Sequence, residues 1–207
     1  MKKKTMKKKA RKKAAIRPAR PMRPKARAAR RPARRPARRP AMDPDAMMRM
    51  WQTAMTPGAG HERLEPMVGT FHARTTFTMG RGAEPSVSEG TSENRWVLGG
   101  RYLEQSYRGM SMGMPFEGIG YTGYDNVRKR YVGIWMDTFG TGLMDSVGVG
   151  KPSERSIEFE ASAHEPSGKR IVFLCKITIQ DRDHHSYEMW TKGPNRYRSM
   201  LVEYTRT

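Results

Sequence analysis

The sequence predicts an all-β protein: an antiparallel up-and-down β-barrel of about ten strands, preceded by a short helix and a disordered basic tail. From Val68 onward apolar and polar residues alternate, as in "VGTFHARTTFT", where Phe71, Ala73 and Phe77 share one face. Turn residues recur about every 10 to 16 positions, and β-branched and aromatic residues fill the stretches between them. Closure into a barrel is favoured because it leaves no exposed strand edge.

Charge divides the chain near position 42. Residues 1–41 contain nine Lys, eleven Arg and no acid, so they carry the whole formal net charge of +20 of the 207-residue chain. Recurring prolines and mutually repelling charges prevent this segment from folding alone. We therefore expect a disordered Lys/Arg/Pro/Ala tail over 1–41, a short amphipathic helix and linker over 42–60, and the barrel over 61–207.

The tail is expected to associate with nucleic acid or another polyanion. Neutralising phosphates releases counterions and gives sequence-independent, salt-sensitive attraction, and the tail has no aromatic residue to stack on bases. The alternative is a solubilising extension. The residues predicted to bind are Lys2, Lys3, Lys4, Lys7, Lys8, Lys9, Arg11, Lys12, Lys13, Arg30, Arg31, Arg34, Arg35, Arg38 and Arg39.

The segment "DPDAMMRMWQTAMTPG" predicts a helix that starts at the N-cap Asp43 and ends before Pro57. Met47, Trp51 and Met55 recur at helical spacing, and we expect this stripe to pack on the barrel. The alternative is that the Met-rich face binds a partner. The following "GHERLEPMVG" offers Leu64, Met67 and Val68 as a plug for one barrel end.

The compartment is predicted from what the sequence contains. Cys175 is the single cysteine, so an intramolecular disulfide is impossible and a reducing cytoplasm is expected. Apolar runs are too short for a membrane span or a secretory signal. A cytoplasmic protein is the expectation, and a nucleoid-associated one if the tail binds DNA.

Two well-known motifs lie side by side in "RGMSMGMPFEGIGYTGYD". Ser111 is the centre of a Gly-x-Ser-x-Gly pattern, but a nucleophile elbow needs a helix directly after the serine, and here strand pattern follows. The Gly-x-Gly-x-x-Gly pattern from Gly118 to Gly123 also lacks the helix that would hold a phosphate. We interpret Gly118 and Gly120 instead as positions where missing side chains let a barrel strand bend and a neighbour approach.

Several blocks carry a resemblance to a known family. "GHERLEPMVGTF", "GGRYLEQSYRG", "PFEGIGYTGYDN", "YVGIWMDTFGTG" and "MLVEYTR" resemble, in this order, the bacterial lipocalin-like family called domain of unknown function 1579. The similarity covers about residues 61–206, and Phe71 stands where the family usually has Trp. The resemblance implies a calycin-type barrel with a central cavity and implies no established activity.

A barrel of this size is wide enough for one small ligand, which we expect to be apolar or amphipathic. On the strand 131–137, Trp135 and Asp137 share the face opposite Ile134 and Met136, and parity alone does not decide which face points inward. An aromatic wall with one carboxylate would use the first pair, while filling of the barrel by side chains is the alternative. The candidate cavity residues are Trp96, Tyr102, Tyr121, Trp135, Asp137, Asp145 and Trp190.

Metal and haem sites receive little support from the histidines. His184 and His185 are adjacent in a strand and point to opposite faces, so a shared metal is not expected. Some cavity-forming barrels bind haem through an internal histidine; His72 is the nominee, although it alternates with the polar side of its strand. Cys175 is expected to be a buried small residue. No metal and no cofactor is predicted.

Binding is favoured over catalysis. The sequence has no paired catalytic constellation, and the alternative of a hydrolase or isomerase would need Asp137 or Asp145 as an acid or base inside the cavity.

Overall fold

The computed structural model describes residues 43–149 and 155–207, and the predicted tail over 1–41 lies outside the described residues. Two helices and a 3₁₀ turn precede the strands: α1 Pro44–Met55, α2 Ala59–Glu62 and the turn Glu65–Met67. The strands are β1 Gly69–Phe77, β2 Ser86–Val97, β3 Tyr102–Ser111, β4 Met114–Asp125, β5 Arg130–Asp137, β6 Met144–Val149, β7 Ser156–His164, β8 Arg170–Ile179, β9 His184–Thr191 and β10 Arg198–Arg206.

The ten strands close into an antiparallel barrel. Each strand pairs with its neighbour in the chain, and β1 pairs with β10 to complete the ring, with Phe71 opposite Arg206. The predicted all-β class, strand number and closure are confirmed. Because every connection is a hairpin between sequential strands, loops gather alternately at the two ends of the barrel.

One face of every strand is turned to the interior, and its residues include most of the buried apolar side chains. The buried set consists of Leu64, Met67, Phe71, Ala73, Leu103, Tyr107, Tyr131, Ile157, Phe159, Ala161, Cys175, Ile177, Met189, Val202 and Tyr204. They form two clusters, one around Tyr131 and Phe159 and one around Phe71 and Tyr204. The interior is therefore aromatic and aliphatic, as alternation along the strands predicts.

One end of the barrel is closed by the segment between α1 and β1. Leu64 is fully buried there and Met67 almost so, which agrees with the predicted plug. The side-chain amide of Asn94 donates to the carbonyl oxygen of Met67 at 2.8 Å. Arg206 donates to the carbonyl oxygens of Pro66 and Val68, both at 2.8 Å, and its guanidinium carbon lies 4.5 Å from the centre of the Phe71 ring. These bonds attach the plug to β2 and β10.

The helix α1 forms as predicted, but its apolar stripe does not pack on the barrel. Asp43 caps the helix by accepting from the amide of Asp45, and Met47, Trp51 and Met55 all remain exposed. The amide of Asn126 holds the C-terminal turn by donating to the carbonyl oxygens of residues 53, 54 and 56. The expectation of a packed stripe was wrong, because the three side chains stay exposed while the hydrogen bonds from Asn126 hold the last turn of the helix.

Candidate functional site

A cavity of about 520 Å³ opens at the end of the barrel opposite the plug. Its mouth lies between the β3–β4 hairpin and the β5–β6 loop, and its floor reaches Met67. Aromatic and thioether side chains dominate the wall, among them Tyr107, Phe116, Trp135, Phe159, Phe173 and Met189. Its volume is within the range of about 300 to 1,000 Å³ that small-molecule sites occupy.

Trp135 forms the wall on the β5 side. It pairs with Gly120 of β4, and Gly133, Trp135 and Asp137 all face inward, whereas Ile134 and Met136 are exposed. A Cβ atom on Gly118 or Gly120 would lie within 2.8 Å of the indole ring at its nearest. The ring thus lies across the two glycines with its other face toward the cavity, which is the close approach that the sequence predicted for this pair.

Asp137 lies beside Trp135 at the mouth. Its carboxylate accepts a hydrogen bond from the Trp135 indole nitrogen at 2.8 Å and another from the backbone amide of Phe139 at 2.9 Å. The two donors hold the carboxylate in place next to the indole edge. The arrangement supplies a fixed negative charge at the rim of an otherwise apolar chamber.

A network of neutral polar side chains lies deeper in the barrel. The Gln105 amide donates to the hydroxyl oxygens of Ser92 at 2.8 Å and Tyr204 at 3.2 Å, and Ser92 donates to the Asn94 side-chain oxygen at 2.9 Å. Burial raises the pKa of Tyr204 to about 12, so its hydroxyl stays protonated at neutral pH. Gln105 and Tyr204 both line the cavity and can offer hydrogen bonds to a ligand without adding charge.

His185 is a buried histidine on the inner face of β9. Its ring stacks on Tyr204 at a centroid distance of 4.3 Å and meets the edge of Phe71 at 4.6 Å. Its Nε2 atom is enclosed and has no hydrogen-bond partner within residues 43–149 and 155–207. Burial, with a smaller contribution from the positive charge of Arg206, lowers the pKa of His185 to about 4. The imidazole is therefore neutral at physiological pH.

The other predicted cavity residues lie in different places. Tyr121 contributes to the wall, but its hydroxyl donates at 2.8 Å to Glu104 on the outer face, which raises the pKa of Tyr121 and lowers that of Glu104. Trp96 faces inward at the plugged end and donates from its indole nitrogen to Glu65 at 2.6 Å. Of the seven nominees, Trp135 and Asp137 are the pair brought together at the mouth.

Three nominees belong to the outer face. Tyr102 is exposed and its ring covers Gly123. Asp145 is also exposed and accepts from the hydroxyl of Ser162 at 2.7 Å. Trp190 lies beneath the guanidinium groups of Arg196 and Arg198, whose carbons are 4.9 and 5.9 Å from the ring centre. None of these three side chains lines the cavity formed by the described residues.

The remaining sequence nominees have structural roles. His72, proposed as an internal haem ligand, points outward and lies 3.5 Å from Glu89, so that assignment was wrong; the inward histidine is His185. His184 is exposed and forms a hydrogen bond with Asp181. It lies on the face opposite to His185, as the sequence predicted for adjacent residues of a strand. Cys175 is buried, and burial raises the pKa of its thiol to about 11. Within the described ranges no three His, Cys, Asp or Glu side chains are grouped to hold a metal.

Ser111 is the last residue of β3, and a two-residue turn at Met112 and Gly113 leads directly into β4. Both turn residues have positive φ, 50° and 77°, which is the geometry of a tight hairpin. No helix follows the serine, as the sequence indicated. The Gly-x-Ser-x-Gly pattern is therefore part of a hairpin at the cavity mouth.

Sequence reasoning missed Gln105, Tyr204 and His185 as interior polar residues. Each lies in a strand whose alternation was visible: Leu103, Gln105 and Tyr107 share one face of β3, and Val202 and Tyr204 share one face of β10. His185 begins the alternating series with Tyr187 and Met189. The alternation within each strand could have assigned these polar side chains to the same face as their apolar neighbours.

The barrel architecture agrees with that of one solved structure. The solved structure of Rv2717c from M. tuberculosis is 18% identical, with a TM-score of 0.54 over 73% of this chain and 99% of that chain. A redesigned β-barrel is 13% identical, with a TM-score of 0.39 over 72% of this chain and 96% of that one. No curated protein matches the sequence significantly. Within the described part of the chain, no helix is long and apolar enough to cross a membrane.

A family model covers most of the barrel protein. It matches residues 56–206, from the end of α1 to the last residue of β10, and carries the description "Protein of unknown function (DUF1579)". The blocks that suggested this family in the sequence all lie within that range. The chain therefore belongs to the DUF1579 family.

Proposed function

We propose that the barrel binds a small apolar or amphipathic molecule in its open cavity. The observation that carries the proposal is the chamber of about 520 Å³ around Trp135, walled by aromatic and thioether side chains and open at one end. A barrel that existed only as a scaffold would gain stability by filling this space with side chains, since voids forfeit packing. An open apolar chamber with a few polar groups is typical of a ligand site.

The polar groups in the chamber suit recognition. Asp137 at the mouth and Gln105 and Tyr204 below it are held by hydrogen bonds to protein groups, so their orientation is fixed before a ligand arrives. Preorganised polar groups in an apolar pocket orient a ligand at little entropic cost. An amphipathic molecule could place its polar end at one of these groups and its apolar part against the wall.

Binding is better supported than catalysis. Asp145 is on the outer face, which leaves Asp137 as the nominated acid or base. The hydrogen bonds of Asp137 go to an indole nitrogen and a backbone amide, and neither partner can relay a proton during catalysis. The arrangement orients a carboxylate without coupling it to a second reacting group.

Titration with a neutral naphthylamine dye that fluoresces in apolar surroundings tests the proposal. We expect the full chain to bind one dye molecule with a Kd on the order of 10 µM, as a ligand of drug-like size and modest efficiency would. Ala163 lines the cavity, and Ala163→Trp should fill part of it and weaken binding at least about tenfold.

The matched control is Glu158→Trp, which adds the same side chain to the exposed face of the same strand, β7. It should leave dye affinity unchanged. Far-ultraviolet circular dichroism of both variants checks that the barrel is retained. Equal dye binding by Ala163→Trp and the wild-type chain, or no binding by either, would refute the cavity as a ligand site.

A second function is supported by the charge of the N-terminal segment. Residues 1–41 carry 20 positive charges and no negative one, while the rest of the chain is formally neutral. Such a segment attracts DNA or RNA through counterion release without reading sequence. We propose non-specific polyanion association through this segment, alongside ligand binding by the barrel.

A further inference from the structure

The cavity has an unbalanced charge. Asp137 is an acid in its lining, and neither Lys nor Arg occurs among the described residues that form the wall. No ion pair to Asp137 is present within residues 43–149 and 155–207. The two imidazoles of the lining are those of His164, which is exposed, and His185, which is neutral because burial lowers its pKa to about 4. The chamber therefore presents a negative charge and no fixed positive one.

Aromatic residues lie close to the carboxylate in the chain and in the cavity lining. Trp135 precedes Asp137 by two positions on the inner face of β5, and its indole lies across Gly118 and Gly120 with one face toward the cavity. Phe139 follows Asp137 by two positions, and its ring meets that of Phe116 at 4.9 Å in an edge-to-face contact. An indole face close to a carboxylate combines the two groups that attract alkylammonium ions in proteins, an aromatic ring and a negative charge.

Electrostatics then distinguishes three classes of amphiphile. An anionic head group would enter a site of low dielectric without a counterion and beside a like charge, which costs binding free energy. A neutral head group would gain hydrogen bonds but no ionic attraction. A cationic head group would gain both the attraction of Asp137 and the quadrupole of the Trp135 ring.

We propose that the ligand is a cationic amphiphile, with its ammonium group held at the mouth by Asp137 and Trp135 and its apolar body in the barrel interior. This inference rests on the proposed binding function and adds the charge of the ligand to it. The apolar wall from Phe116 down to Met67 accommodates the body, and the mouth leaves the head group partly hydrated.

Displacement of the neutral naphthylamine dye from the full chain tests the inference, because dye release reports the cavity and is insensitive to amphiphile bound at the basic N-terminal segment. Three probes with the same twelve-carbon chain are compared below their micellar concentrations: dodecyltrimethylammonium, a dodecyl glucoside and dodecyl sulfate. We expect the ammonium probe to displace the dye about tenfold more effectively than the glucoside, and dodecyl sulfate to be the weakest of the three.

Asp137→Asn removes the charge while retaining an oxygen that can accept from Trp135. It should reduce the affinity for the ammonium probe about tenfold, to the level of the glucoside, because the ionic attraction is lost. Asp145→Asn is the matched control, because it makes the same change of net charge on the outer face. It should preserve the preference for the ammonium probe.

Two results would overturn the inference in distinguishable ways. If the dye does not bind to the wild-type chain, the binding function itself fails and the charge preference fails with it. If the dye binds but the ammonium probe competes no better than the glucoside, or if Asp137→Asn retains the preference, the cavity binds ligands without selecting a cation.

Discussion

The buried side chain of His185 makes the stability of the folded barrel depend on pH. It is 3% exposed, stacked on Tyr204 and faced by Phe71, and its Nε2 atom lacks a partner in the described part of the barrel. Burial holds its pKa at about 4, below the ordinary 6.5. Because the unfolded chain binds the proton more readily, the folded state loses stability as pH falls from about 6.5 to 4.

Replacing His185 by Phe should remove that loss. The pKa difference corresponds to roughly 3 kcal/mol of stability present above pH 6.5 and lost by pH 4, and Phe has no proton to bind. The free energy of unfolding in urea, measured at pH 7 and pH 4, should therefore decrease less in His185→Phe than in the wild-type chain, by up to about that amount.

The adjacent histidine is the control for this experiment. His184 is exposed and its Nδ1 atom lies 3.0 Å from Asp181, so His184→Gln should leave the decrease between pH 7 and pH 4 much closer to that of the wild type. An unchanged pH dependence in His185→Phe would mean that the buried imidazole is protonated without cost. Any uniform loss of packing in the Phe variant cancels in the difference between the two pH values.

At the scale of elements, β4 and β5 depend on each other through two missing side chains. Gly118 and Gly120 leave the space that the indole of Trp135 occupies, and a Cβ on Gly118 would come within 2.2 Å of that ring. Gly118→Ala should therefore push the ring into the cavity, destabilise the protein by about 1 to 3 kcal/mol and weaken dye binding. Urea unfolding and dye titration measure the two effects.

Gly80 provides the comparison, since a Cβ there meets no atom within 4 Å and its φ is not positive. Gly80→Ala should change stability by no more than about 0.5 kcal/mol and leave dye affinity unchanged. If Gly118→Ala behaves like Gly80→Ala, the indole has enough freedom to move aside, and the glycine pair is not what positions the cavity wall.

The strands were predictable from sequence, while the direction of their faces was not always so. The alternation of apolar and polar residues and the recurring turn residues predicted about ten strands, because both patterns are local properties of the chain. For β5, alternation left open which face points inward, and in the structure Trp135 and Asp137 face the cavity. The deciding signal lay on another strand, in the glycines of β4, so it required knowledge of which strands pair.

The helix α1 shows the same limit of prediction from sequence, because its formation could be predicted and its packing could not. Its cap at Asp43 and its apolar period are local and correctly predict the helix. Whether Trp51 packs depends on the surface that it meets, and the structure leaves the side chain 59% exposed. Local signals establish an element, but packing between elements depends on contacts distant in sequence.

At the scale of the whole molecule, a formally neutral barrel is joined to a segment with a charge of +20. The sequence could predict closure of the barrel, because consecutive hairpins form a sheet whose two edge strands are protected when they pair with each other. It could not predict that the interior remains open, because the volume of the cavity depends on how ten strands are packed together. The positive charge, by contrast, is readable from composition alone, and so is its consequence for binding.

The full chain should bind duplex DNA, and a chain that begins at Met42 should not. Each Lys or Arg that neutralises a phosphate releases condensed counterions, so six to ten such contacts should lower the affinity about 10³- to 10⁵-fold between 50 and 200 mM salt. Fluorescence anisotropy with a labelled duplex at both salt concentrations measures this dependence.

Two DNA sequences of equal length should bind equally, since phosphate contacts carry no sequence information. The chain beginning at Met42 serves as its own control for folding, because it should still bind the naphthylamine dye through the intact barrel. Equal DNA affinity of the two chains, or an affinity that salt does not alter, would contradict the electrostatic role of residues 1–41. Loss of DNA binding with dye binding retained would separate the two functions along the chain.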